Sequence, residues 1–158
     1  MNGIMGIFSH RPIFSRGPIS SRGRIGNILI VEDEPLIAFE NEHALAQAGY
    51  HVVATVDRYE HAAAAMADGG VDLVVADIRL SGGKSGVDVA RHALTLDLPV
   101  LFSTATCPRD APALALACLA KPYGPRDLVR AIRVIERVLA GGRPRLVPEM
   151  MTLFPLDE

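Results

Sequence analysis

Five short apolar runs, each set apart from the next by a stretch about the length of a helix, constrain this chain more than any other feature. The runs are residues 28–31 (ILIV), 50–56 (YHVVATV), 71–76 (VDLVVA), 98–103 (LPVLFS) and 117–120 (ACLA). The third is nearly continuous in apolar residues, as a strand buried on both faces must be. The intervening stretches carry helix punctuation. Pro35 sits at a first helical turn, where its missing N–H costs nothing, and Gly49 closes that helix. Asp57 can cap the next helix, which is Ala-rich and stops at Gly69-Gly70. Gly86 leads into a third helix with Val87, Ala90 and Leu94 on one face. Pro125 and Asp127 open a last helix whose stripe is Leu128, Ile132, Ile135 and Leu139. Between the fourth and fifth runs, Pro108 and Pro112 leave room only for a short or irregular helix. Strand and helix thus alternate five times. The expected fold class is α/β, a (βα)5 doubly wound, parallel five-stranded sheet with right-handed crossovers.

Length and charge bound the function. A chain of 158 residues with 49% apolar and 22% charged residues suits one globular domain. Its ordered part is expected over residues 27–141, with residues 142–158 as an aperiodic tail. Residues 1–26 hold four arginines (Arg11, Arg16, Arg22, Arg24), no acid and no period, and read as a disordered basic leader. The net charge of −2 and the lack of tryptophan argue against nucleic-acid binding. No apolar run reaches membrane-spanning length. Cys107 and Cys118 make neither a disulfide framework nor a zinc spacing, and both are expected reduced in a cytoplasmic protein.

The ends of the runs carry the chemistry. In a parallel sheet covered by helices, ligands bind at the carboxyl ends of the strands. The first run ends in Glu32 and Asp33, the third in Asp77, the fourth in Thr104 and the fifth in Lys121. The second contributes nothing comparable, as befits a strand at the side of the crevice. Clustered carboxylates suit Mg²⁺, which takes a few of them together with waters and phosphate oxygens. Asp77 would be a nucleophile toward a phosphoryl group, Lys121 would hold a phosphoryl oxygen, and the Thr104 hydroxyl would donate to another. Each feature alone has a plainer reading: helix-dipole charges at residues 32–34, a loop cap at Asp77, a turn hydroxyl at Thr104. Their conjunction favours a phosphorylation site. The five histidines are scattered without metal spacing.

These segments resemble a known family. IVEDEP, ADIRL with its loop to Gly86, FSTA and AKPY are similar to the four signatures of response-regulator receiver domains of two-component signalling. The resemblance spans about residues 27–141 and implies the flavodoxin-like receiver fold. It implies that Asp77 accepts phosphate and that Asp33 ligates Mg²⁺, with Glu32 helping through water. It further implies that the backbone carbonyl of Arg79 completes the metal site, that Thr104 is the switch hydroxyl and that Lys121 is the phosphate-holding lysine. Cys118 departs from the pattern, standing where receivers usually carry an aromatic ring. The Phe102–Ala105 segment is partly similar to the Phe-Ala-Thr-Gly motif of alphaproteobacterial single-domain receivers.

The expected function is that of a single-domain response regulator and not of a turnover enzyme. Its partners would be a sensor histidine kinase or histidine phosphotransfer protein and a downstream protein. Output would run through protein contact or phosphorelay, since about 17 residues after the last helix are too few for a DNA-binding fold. A homodimer is left open. Two alternatives are a pseudo-receiver that docks without taking phosphate, and a haloacid-dehalogenase-type phosphohydrolase. The latter needs an Asp-x-Asp pair after the first strand, which Glu32-Asp33-Glu34 does not supply.

Overall fold

In the computed structural model, which describes residues 24–156, the strands are β1 (Asn27–Val31), β2 (His51–Val56), β3 (Leu73–Ala76), β4 (Val100–Thr104), β5 (Ala117–Ala120) and β6 (Met151–Leu153). The helices are α1 (Pro35–Gln47), α2 (Tyr59–Ala67), α3 (Gly86–Thr95) and α4 (Pro125–Leu139). The strands form one sheet in the order β2-β1-β3-β4-β5-β6. The five expected strands run parallel, and β2 is indeed at the edge.

Residue alternation along each strand builds two cores. Leu29, Val31, Val74, Ala76, Val100 and Phe102 pack into the layer that holds Ala62, Met66, Val89, Ala90 and Ala93 of α2 and α3. Ile28, Ile30, Leu73, Val75, Leu101 and Leu119 pack against Leu45 of α1 and Leu128, Ile132 and Ile135 of α4. A strand with both faces covered has no place for a charged residue in its interior. The first charged side chain therefore falls where the strand ends.

Two features depart from the expectations. The aperiodic tail carries β6, which pairs antiparallel with β5 through Ala117–Leu153, Cys118–Thr152 and Leu119–Met151. Phe154 follows it into the α2/α3 core. The segment between β4 and β5 is short and irregular as expected, with one 3-10 turn over Ala111–Ala113. The expectation of reduced cysteines is overturned. Cys107 and Cys118 are joined as a disulfide, because the loop after β4 folds back until their Cα atoms are 6.1 Å apart.

Smaller differences have local causes. Arg58 rather than Asp57 occupies the cap position of α2, and Asp57 spends its carboxylate on the Arg58 guanidinium. Ile25, grouped with the leader in the sequence, is buried in the α1/α4 core. Residues 1–23 of the leader lie outside the described residues.

Candidate functional site

Backbone pairing delivers the polar residues to one rim. The Asp77 amide donates to the Val31 carbonyl and the Glu32 amide to the Val56 carbonyl, both at 2.9 Å. The Lys121 amide donates to the Thr104 carbonyl, also at 2.9 Å. Glu32, Asp77 and Thr104 are buried although each follows directly on its strand or closes it. Lys121 begins a loop that passes through a cis peptide bond to Pro122.

Lys121 Nζ is the centre of the arrangement. It donates to Asp77 Oδ2 at 2.9 Å and to Glu32 Oε2 at 3.0 Å, and it lies 3.6 Å from Glu34 Oε1. One ammonium thus answers several carboxylates. Burial and the neighbouring Asp77 push the Glu32 carboxyl up to about 7, although its bond to Lys121 works the other way. Burial works against the charge on Lys121, but its bonds to Asp77 and Glu32 win and hold it firmly protonated. Glu32, Asp33 and Asp77 offer carboxylate oxygens within 4.8 Å of one another. This hard-oxygen set, with carboxylates in excess of cations, is what a divalent ion such as Mg²⁺ requires.

The remaining expected residues are placed less directly. The Arg79 amide donates to Asp77 Oδ1 at 3.4 Å, and its side chain is exposed. Thr104 reaches the same rim, but its Oγ1 donates to the Thr106 carbonyl at 3.3 Å rather than to Asp77.

The structure adds residues that local sequence did not mark. Ser81 Oγ donates to Asp33 Oδ2 at 3.4 Å and so holds it from the loop after β3. The start of α3 lies directly against the backbone of the site, with the Gly86 amide donating to the Ile78 carbonyl at 2.8 Å. A Cβ at Gly86 would stand 1.9 Å from the Asp77 carbonyl oxygen. A further sequence signal for this element is Ser85-x-x-Asp88, whose two side chains form a capping box at the start of α3. Behind the site, the Tyr123 hydroxyl meets Ser103 Oγ at 2.5 Å and accepts from Asn41 Nδ2 at 3.0 Å. That chain ties β4, α1 and the loop after Lys121 together. Burial raises the Tyr123 hydroxyl, which therefore stays protonated and can donate.

Comparison with known proteins agrees with this fold. The family model described as the response regulator receiver domain matches residues 28–133. The chain is 36% identical over 113 residues to the phyllosphere-induced regulator PhyR of Methylorubrum extorquens, covering 66% of this chain and 41% of that protein. It is 33% identical over 119 residues to the phosphate regulon transcriptional regulatory protein PhoB of Pseudomonas aeruginosa, covering 70% of this chain and 51% of that protein. The chain thus spans about half or less of the length of these two relatives. Among solved structures it resembles the signal receiver domain of a modulated diguanylate cyclase from Desulfovibrio desulfuricans. That match has a TM-score of 0.66 and 28% identity, and covers 74% of this chain and 98% of that one.

Proposed function

The chain belongs to the response regulator receiver domain family, and on that premise we propose that Asp77 accepts a phosphoryl group from a sensor histidine kinase or a histidine phosphotransfer protein. The single observation that carries this reading is the convergence of Glu32, Asp33, Asp77 and Lys121 at one rim of the sheet. In the transfer, an Asp77 carboxylate oxygen forms a bond to phosphorus as the bond from phosphorus to the donor imidazole nitrogen breaks. The imidazole leaves as the neutral base after taking up a proton, and Asp77 becomes an acyl phosphate.

Each neighbouring group has a task in that step. Lys121 Nζ, already 2.9 Å from Asp77 Oδ2, holds an incoming phosphoryl oxygen as a fixed point charge. Asp33 and Asp77, with Glu32 and the Arg79 carbonyl, would hold Mg²⁺. When bound, the ion offsets carboxylate repulsion and neutralises charge on the phosphoryl group. Thr104 must release the Thr106 carbonyl before its hydroxyl can donate to the new phosphate. That exchange converts a local charge change into movement of the loop after β4. Output would then pass to a downstream protein by contact, or onward as phosphate, in a cytoplasmic setting.

The test is the intact mass of the full chain after incubation with acetyl phosphate and Mg²⁺, for wild type and Asp77→Asn. One Mg²⁺-dependent phosphoryl adduct on wild type and none on the variant is the expected result. A folded wild type that takes no phosphate would instead leave a docking module built on the receiver fold.

A further inference from the structure

The disulfide between Cys107 and Cys118 anchors the loop that follows Thr104. Cys118 is buried in the centre of β5, paired to Phe102 of β4 on one side and to Thr152 of β6 on the other. Its backbone is therefore fixed by ladders on both edges. Cys107 is exposed, in the loop three residues after Thr104. Thr106, whose carbonyl holds the Thr104 hydroxyl, is its immediate neighbour. The bond between the two cysteines thus anchors a surface loop to an immobile strand, one residue from the contact that Thr104 must give up. The 3-10 turn over Ala111–Ala113 lies inside the 107–118 ring closed by this bond.

From this placement we infer that Cys107–Cys118 is a reversible thiol–disulfide site, taking a dithiol as its reductant, that decides whether the loop after β4 can respond at Asp77. This inference rests on the phospho-acceptor reading above. The exchange begins at Cys107, the exposed residue of the pair. A thiolate of the dithiol attacks Cys107 Sγ, the disulfide breaks, and Cys118 leaves as a thiolate that takes up a proton. The second thiol of the dithiol then attacks the mixed disulfide and releases the Cys107 thiol. Two electrons and two protons pass from the dithiol to the protein pair, and the dithiol leaves as its own disulfide. In the oxidised chain the loop is held with Thr104 bonded to Thr106. In the reduced chain Cys107 is released and residues 105–116 are free to rearrange. Asp77, Lys121 and the acidic cluster are untouched by the exchange, so phosphate uptake itself persists in both states.

The experiment uses the full chain in three forms: purified without reductant, kept in dithiothreitol, and as the Cys107→Ser variant. Cys107 is chosen because it is exposed, whereas replacing buried Cys118 risks the fold. Alkylation with iodoacetamide in denaturant, where buried Cys118 is also reached, followed by intact mass reads the state of the pair. Hydrogen exchange over residues 104–117, with and without beryllofluoride and Mg²⁺, reads the loop. The expected result has four parts: no alkylation without reductant, two adducts with it, exchange in the loop faster by about tenfold or more on reduction, and a beryllofluoride response only in the reduced and Cys107→Ser forms. Two alkylated thiols in the untreated protein would overturn the inference, and so would equal loop exchange in the oxidised and reduced forms. Intact mass of the same three forms after acetyl phosphate and Mg²⁺ reads phosphate uptake, and no phosphoryl adduct on any of them would instead overturn the phospho-acceptor reading. The redox inference would then stand or fall on the loop exchange measured without beryllofluoride.

Discussion

Gly86 is the residue whose replacement should be felt most directly at Asp77. It does not need a positive φ; it needs the absence of a Cβ, which would stand 1.9 Å from the Asp77 carbonyl oxygen and 2.7 Å from its carbonyl carbon. These are backbone atoms and cannot rotate away. Gly86→Ala is expected to destabilise the fold by roughly 1–3 kcal/mol or more and to displace Asp77, so that phosphate uptake falls even in the molecules that stay folded. Thermal unfolding and intact mass after acetyl phosphate treatment measure the two effects separately. Tyr123 is a milder case. Its hydroxyl serves two buried partners, Ser103 and Asn41. Tyr123→Phe leaves both polar groups short of a partner and should cost about 1–3 kcal/mol in urea unfolding, with the ring packing retained.

At the scale of elements, β6 covers what would otherwise be an open sheet edge. Without it, β5 would present unpaired N–H and C=O groups along a strand that carries the Lys121 end of the site. Phe154 fastens β6 by entering the α2/α3 core, while its amide donates to the Leu116 carbonyl at 2.9 Å. Phe154→Ala should therefore lower stability by about 3 kcal/mol. Light scattering on warming should detect association earlier than for wild type, through the exposed β5 edge. A result with unchanged stability would mean that β6 adds nothing to the sheet. The α1 helix shows the reverse situation: Leu36 and Phe39 remain about two-thirds exposed, at 68% and 67%. No stability effect of comparable size is expected from making them polar, because they bury little in the chain itself.

Whole-molecule stability depends on pH through the rim. The Glu32 carboxyl is pushed up from 4.5 to about 7, mainly by burial. A carboxyl with a raised folded value binds its proton more tightly in the folded state than in the unfolded one. Its contribution is complete below pH 4.5 and is lost as the pH rises through about 7. With divalent ions chelated, this single group should remove about 3 kcal/mol of stability between those limits. Urea titrations at a series of pH values test it. The Glu32→Gln variant should lose the falling segment, and an identical pH slope in variant and wild type would refute the assignment. Mg²⁺ added above pH 7 should restore stability to the wild type, since an ion that binds only the folded rim shifts the balance by mass action.

Short-range pattern determined the five parallel strands, the four long helices and the residues at the strand ends. Asp77, Glu32, Asp33, Thr104 and Lys121 each follow or close an apolar run, and a strand covered on both faces excludes charge until it ends. That rule is local, so it can be read without knowing which strands are neighbours. What only the tertiary structure decided depends on residues far apart in the chain meeting at close range. Met151–Leu153 carries no strong strand pattern in a proline-containing tail, and its pairing comes from the free edge of β5. Gly86 looks like any helix-leading glycine until the backbone of Asp77 comes to lie against it. Cys107 and Cys118 show no paired spacing, yet the return of the loop after β4 brings their Cα atoms to 6.1 Å. The Thr104 hydroxyl was legible as a group at the rim, but its direction was not. A hydroxyl turns to the nearest acceptor that the fold supplies, and here that acceptor is the Thr106 carbonyl.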